Sequence, residues 1–171
     1  MPEINVIKGI KYKPDMLIKK VSSTEKYKSI SCRYVDVLYS PCWIFAFSAL
    51  FRLHGDKRKY VGYLSGVDEL SLSPGTVANM PQTEKVEADD KNILCDKLLK
   101  EEAENRAWEY SKKWIIRKNR VLFCTPERTE THCFKVYKVL YLFEFHNRDT
   151  DRTFYKAMDS LTGDLENIEL T

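Results

Sequence analysis

Two nine-residue stretches decide how this chain folds: Tyr39-Ser40-Pro41-Cys42-Trp43-Ile44-Phe45-Ala46-Phe47 and Tyr137-Lys138-Val139-Leu140-Tyr141-Leu142-Phe143-Glu144-Phe145. Tyr39, Phe45 and Phe47 recur as Tyr137, Phe143 and Phe145, and Trp43 is answered by Tyr141. The rings stand at every second position. Successive side chains of a strand point to opposite faces, so this spacing predicts two strands that each carry one aromatic face. Around the first stretch the alternation runs from Val35 to Phe51, with Pro41 inside it. A proline has no amide hydrogen to donate to a ladder, so one long strand, or two collinear ones, is expected with edge-like or bulged pairing at Pro41.

Each aromatic strand is followed by hairpin signals. After the first come a turn at His54 to Arg58, a return strand over Lys59 to Leu64, and a second turn at Ser65-Gly66-Val67-Asp68 before Leu70 and Leu72. After the second, a strand from about His132 to Phe145, come a polar turn at Asn147 to Asp151 and a return over Thr153 to Ser160. A tight turn at Thr162-Gly163-Asp164 and a last strand over Leu165 to Leu170 complete it. Tyr60 and Leu70 have the same separation as Tyr155 and Leu165, which predicts an internal duplication.

Residues 4 to 12 alternate as a strand with a bend at Gly9, and Pro14 suits the first turn of a short helix bearing Met16, Leu17, Ile18 and Val21. A longer helix is expected from about Lys91 to Lys118. Leu99, Ala103, Ala107, Tyr110 and Trp114 form its apolar stripe. Acidic residues gather at its start and basic ones, through Arg120, at its end, and Asn119 is the expected cap. Residues 73 to 92, polar and carrying Pro74, Gly75 and Pro81, read as a connection. The expected fold class is therefore α+β, with two similar halves, each an antiparallel sheet packed against a helix. The boundaries are a first half over 1–72, a linker over 73–90 and a second half over 91–171, the two halves being able to form one compact domain.

The second half, closing with Tyr155, Asp159, Thr162, Gly163 and Leu165, resembles the PepSY-like module, a cystatin-like α+β unit in which one helix packs on a small antiparallel sheet. The resemblance covers residues 91–171 and rests on the order Asp-x-x-Thr-Gly at Asp159 to Gly163. It implies the fold of that half. It also points toward regulation of peptidases and toward extracytoplasmic proteins, whereas no export signal is read in this chain. The turn has a local physical reason as well: Asp and Thr side chains accept bonds from turn amides, and glycine tolerates a positive φ. Ser65 to Asp68 in the first half lacks that order.

The chain has 171 residues, 43% hydrophobic and 31% charged, which is a globular composition with enough length for a real core. Net charge is +3, unevenly spread: residues 1–60 hold twelve Lys or Arg against five Asp or Glu, leaving the remainder at −4. The amino terminus has no basic start followed by an apolar run, and the longest apolar run, Cys42 to Phe51, is about half of what a spanning helix needs. A cytoplasmic protein without a transmembrane segment is the expectation. Five cysteines at irregular spacing (Cys32, Cys42, Cys95, Cys124 and Cys133) suggest reduced thiols and neither a disulfide framework nor a zinc motif.

Chemistry is sparse. Thr131-His132-Cys133 brings a thiol beside an imidazole, but neighbours on a strand diverge. Six scattered glycines form no phosphate loop, and Glu101, Glu102 and Glu104 sit where a helix start favours acids. No catalytic or metal residue is expected, and no cofactor. The expected function is a non-enzymatic intracellular binding module for a protein or peptide partner, with exposed sheet edges open to strand addition. The alternative is a nucleic-acid-binding protein using the basic first half, with Lys11-Tyr12-Lys13 and Lys26-Tyr27-Lys28 interleaving charge and ring. Function is expected where the halves differ: Pro41 and Cys42, the basic turn from Asp56 to Lys59, the segment from Gly75 to Asp90, and the turn from Asp159 to Gly163.

Overall fold

The computed structural model describes residues 1–52, 57–119 and 124–168. The expected turn at His54 to Asp56, Arg120, and the end of the last strand at Leu170 lie outside the described residues. The elements are β1 (Glu3–Ile7), α1 (Pro14–Ser23), β2 (Ile30–Arg52), β3 (Arg58–Asp68), β4 (Pro74–Thr76), β5 (Thr83–Glu87), α2 (Lys100–Asn119), β6 (Glu127–Asn147), β7 (Arg152–Asp159) and β8 (Leu165–Asn167). The class is mixed α+β, with largely antiparallel pairing.

The chain forms two compact units. One comprises residues 1–40, 83–94 and 137–171, and the other 41–82 and 95–136. These boundaries differ from 1–72, 73–90 and 91–171, because β2 and β6 each give one end to each unit. The expected linker is itself structured. It carries β4, paired with β3, and β5, which pairs antiparallel with β1 from Glu3↔Glu87 to Ile7↔Thr83. Short, charged or proline-bearing strands tolerate an edge position, which is why this polar segment reads as a connection from sequence.

In the second unit, β2 pairs with β3 from Cys42↔Asp68 to Arg52↔Arg58. Pro41 falls one residue past the end of the β2–β3 ladder, and its carbonyl accepts the Glu69 amide. Phe45, Phe47 and Val67 are buried beneath Leu98, Ala103 and Ala107, and Trp108 meets Phe47 edge-on at 5.4 Å. In the first unit, Phe143, Phe145 and Met158 are buried beneath Leu17 and Val21 of α1. The paired aromatic faces are thus core. Each helix covers strands of the other half: α1 lies on β6 and β7, and α2 on β2 and β3.

α2 starts at Lys100, nine residues later than the expected Lys91, and its stripe differs. Ala103, Ala107, Ser111 and Ile115 are buried at strict steps of four, whereas Leu99 is 77% exposed and Trp114 46%. Residues 93–98 are instead held by single tethers: the Leu94 amide on the Tyr39 carbonyl, and the Lys97 and Leu98 amides on the Glu69 carboxylate. At the other end the Asn119 side chain caps the Ile115 carbonyl at 2.8 Å.

The hairpin turns also correct the sequence register. Ser65 to Asp68 belongs to β3, and the turn follows it at Glu69 to Ser73. Asp68 faces Cys42 across the ladder and Asp159 faces Leu140, so the two aspartates, and not Tyr60 and Tyr155, are equivalent. Asp68 Oδ1 accepts the amides of Leu70 and Ser71; Asp159 Oδ1 accepts those of Leu161 and Thr162. The amide of each aspartate donates to the residue five further on, Ser73 or Asp164. Four residues after each aspartate the backbone turns left-handed, at Leu72 (φ 56°) and Gly163 (φ 80°). Gly163 suits that position and lies under the Tyr12 ring, which a Cβ would approach to 2.9 Å. A leucine there costs about 1–2 kcal/mol of backbone energy, offset by its packing against the α2 core. The Asp159 to Gly163 turn is therefore not confined to the second half. Glycine marked one of the two turns, and leucine hid the other.

Candidate functional site

The places where the halves differ divide into structural clasps and exposed chemistry. Glu69 is a clasp. Only 1% exposed, its carboxylate accepts the Trp43 indole at 2.6 Å and the amides of Lys97 and Leu98 at 2.8 and 3.0 Å. The equivalent position in the other turn is Ser160, whose carbonyl accepts the amides of Lys11 and Tyr12. A second clasp is the Lys138–Asp159 pair at 2.7 Å, with side chains 13% and 6% exposed. Both carboxylates are engaged by several donors inside the fold. The Glu69 carboxylate holds the segment before α2, and the Ser160 carbonyl in the Asp159 turn holds the segment before α1.

The thiol and imidazole candidates separate as strand geometry requires. Cys133 packs against the α2 core, while His132 is exposed and meets Glu130 at 3.1 Å. All five cysteines are free. Among the described residues no group of three or more His, Cys, Asp and Glu side chains is disposed to hold a metal. Burial pushes the Cys32 thiol from 9.0 up to about 11, and burial raises Cys133 as well. Iodoacetamide at pH 8 should label exposed Cys95 readily and leave Cys32 unmodified; peptide mapping checks this. The sign for stability follows. The folded state holds the Cys32 proton more tightly, so this contribution is intact below pH 9 and is lost as pH rises through about 11.

Exposed chemistry concentrates between residues 8 and 20. Lys11, Lys13, Lys19 and Lys20 meet no carboxylate among the described residues, and Lys8 reaches Glu84 only at 4.0 Å. Ile10, Tyr12 and Met16 in the same segment are 46%, 36% and 51% exposed. Gly9 at φ 98° turns the chain out of β1, and Pro14 starts α1. Leu17 and Val21 face the core, which leaves Met16 and Lys19 exposed on the helix and Lys20 exposed beside Val21. Of the two rings offered for base stacking, Tyr12 is seated on Gly163 and Tyr27 packs into the α1 core, while Lys28 is paired with Glu25 at 2.9 Å.

Beneath α1 lies a cleft of about 230 Å³ lined by Leu17, Val21, Tyr27, Ile30, Phe145, Phe154 and Leu165, with Lys20 and Lys156 also on its wall. Phe145 and Phe154 stack at 5.3 Å and 5°. Lys156 lies on the strand expected over Thr153 to Ser160, on a face that the expectation left unassigned. The signal was present: Phe154, Lys156 and Met158 share one side of β7, so a lysine occupies an apolar position.

The described strands with a single paired neighbour are β4, β5 and β8. Two have three residues, one of which opens with Pro74, and β5 carries Glu84, Lys85 and Glu87. These are poor templates for strand addition. No helix among the described residues is long and apolar enough to cross a membrane. Comparison with protein-family models, with curated proteins and with solved structures returned no match.

Proposed function

We propose that this chain is a non-enzymatic binding module for an acidic protein or peptide, built from two related α+β halves of PepSY-like, cystatin-like character. A cytoplasmic setting belongs to the same reading. The observation that carries the binding role is the segment from Ile10 to Lys20, where four lysines that meet no carboxylate among the described residues accompany three exposed apolar side chains. Charge attracts and orients an acidic partner, and Ile10, Tyr12 and Met16 supply the apolar area that charge alone does not. Side chains rather than a sheet edge make the contact, since the edges are short or charged.

The duplication is supported by the matching ladders at Asp68 and Asp159, the paired amide bonds of both turns, and the left-handed residue four positions on. It is supported also by two parallel bridges before the helices, Val6↔Tyr137 and Tyr39↔Ile93. Protein is favoured over nucleic acid because Tyr27 packs into the α1 core and the Tyr12 ring lies against Gly163, which leaves no pair of open rings for base stacking in the two Lys-Tyr-Lys stretches.

A fluorescent peptide of alternating Glu and Phe, titrated against the full chain, tests the reading. Saturable binding that weakens with salt is expected. Lys11→Gln/Lys13→Gln/Lys19→Gln should weaken it about tenfold, at roughly half a kcal/mol per charge removed. Tighter binding of oligo-dT than of the peptide would transfer the function to nucleic acid.

A further inference from the structure

We infer that the cleft beneath α1 is a binding site for a small amphipathic carboxylate: an apolar chain or ring of on the order of ten non-hydrogen atoms ending in an anion. The inference goes beyond the acidic-partner reading and does not depend on it. Three observations carry it.

The first is the wall. Leu17 and Val21 from α1, Ile30 from β2, and Phe145, Phe154 and Leu165 from the sheet face one volume of about 230 Å³. Phe154 and Leu165 remain 37% and 39% exposed at its side, so a ligand there would cover apolar surface that the fold leaves in water. A dry cavity of about 150 Å³ admits benzene, so 230 Å³ suits a chain of eight or nine carbons and is too small for a folded peptide segment.

The second is the position of Lys156. It lies opposite Phe143 in the β6–β7 ladder and opposite Asn167 in the β7–β8 ladder, with Phe154 and Met158 as its same-face neighbours. Phe143 is fully buried and Met158 is 3% exposed. Alternation calls for an apolar side chain there, and the equivalent position in the other hairpin is the fully buried Ser65. A charge placed against the pattern without an acid to meet it marks function more than stability.

The third is convergence. Lys20 brings a second ammonium to the same wall from the helix, and neither Lys20 nor Lys156 meets a carboxylate among the described residues. Lys156 Nζ stands 6.0 Å from the Phe154 ring centroid, so the cation and the apolar wall are adjacent. Two cations beside an apolar slot match a carboxylate head with an apolar tail.

Octanoate is the probe, with octan-1-ol and octylammonium as its uncharged and reversed counterparts. Calorimetry on the full chain should show one saturable site for octanoate, weaker binding of octanol and none of octylammonium. Amide shifts should centre on Lys20, Lys156 and Leu165. Lys20→Gln/Lys156→Gln, on exposed or half-exposed positions that leave the packing intact, should weaken octanoate about tenfold and leave octanol unchanged. Leu165→Trp, which fills the slot, should abolish both. Octylammonium binding as tightly as octanoate, octanoate affinity unchanged by the double substitution, or no saturable octanoate site would each overturn the assignment.

Discussion

Asp159→Ala should lower the free energy of unfolding by about 3–5 kcal/mol, as expected when one partner of a buried ion pair is removed. The side chain serves two groups at once. Oδ2 meets Lys138 Nζ at 2.7 Å, and Oδ1 accepts the amides of Leu161 at 2.7 Å and Thr162 at 3.3 Å. With the carboxylate gone, Lys138 loses its short contact in a largely dry position, and two turn amides lose their acceptor. The turn also presents the Ser160 carbonyl to the amides of Lys11 and Tyr12, so its loosening reaches the segment that carries the exposed lysines. Urea unfolding of the variant measures the cost. Replacing both partners, Asp159→Leu with Lys138→Met, should recover much of it, because a matched apolar pair avoids the desolvation penalty. A loss below about 1 kcal/mol would mean that the turn holds without its carboxylate.

The second large effect is expected at Glu69. Glu69→Ala leaves the Trp43 indole and the Lys97 and Leu98 amides without their acceptor at a site 1% exposed. A cost of about 3–5 kcal/mol is expected, since each bond to a buried charge contributes about 1.5–3 kcal/mol and the losses overlap. Position-specific readouts separate this from general weakening. Hydrogen exchange at Lys97 and Leu98 should accelerate beyond that of the β2–β3 ladder, and Trp43 emission should shift red. Glu69→Gln should fall between the two, because one carbonyl oxygen remains for either the indole or the amides. Unchanged exchange at Lys97 and Leu98 in Glu69→Ala would show that the segment before α2 is held otherwise.

Much of the fold was legible in the residues. Period-two aromatics located β2 and β6, Pro14 set the start of α1, and basic residues with Asn119 marked the end of α2. Each signal is local. The start of α2 was not legible, because the residues from Ile93 to Leu98 are as apolar as a helix turn, while their amides bond to partners distant in sequence: Leu94 to the Tyr39 carbonyl, and Lys97 and Leu98 to Glu69. The equivalence of the two turns escaped because spacing alone aligned Tyr60 with Tyr155, four residues off the ladder. Leu72 supplied no glycine to betray the left-handed position. For the candidate site, the surplus of lysines in the first third of the chain was visible as charge. The meaning of Lys156 was not, since the face on which a residue of β7 stands depends on register with β6.

The long strands, both helices, the aromatic faces and the basic character of residues 8 to 20 are written in the residues themselves. These follow from side-chain period and composition, which act over a few residues. The tertiary structure decided which strands each helix covers. Leu17 and Val21 of α1 find their cover on Phe143, Phe145 and Met158, while Phe45 and Phe47 are covered by Ala103 and Ala107 of α2, because packing joins residues far apart in the chain. It decided the cleft as well, because Lys20, Phe145, Lys156 and Leu165 come together only when helix and hairpin are packed. Local chemistry names the parts, and long-range packing alone assigns them partners.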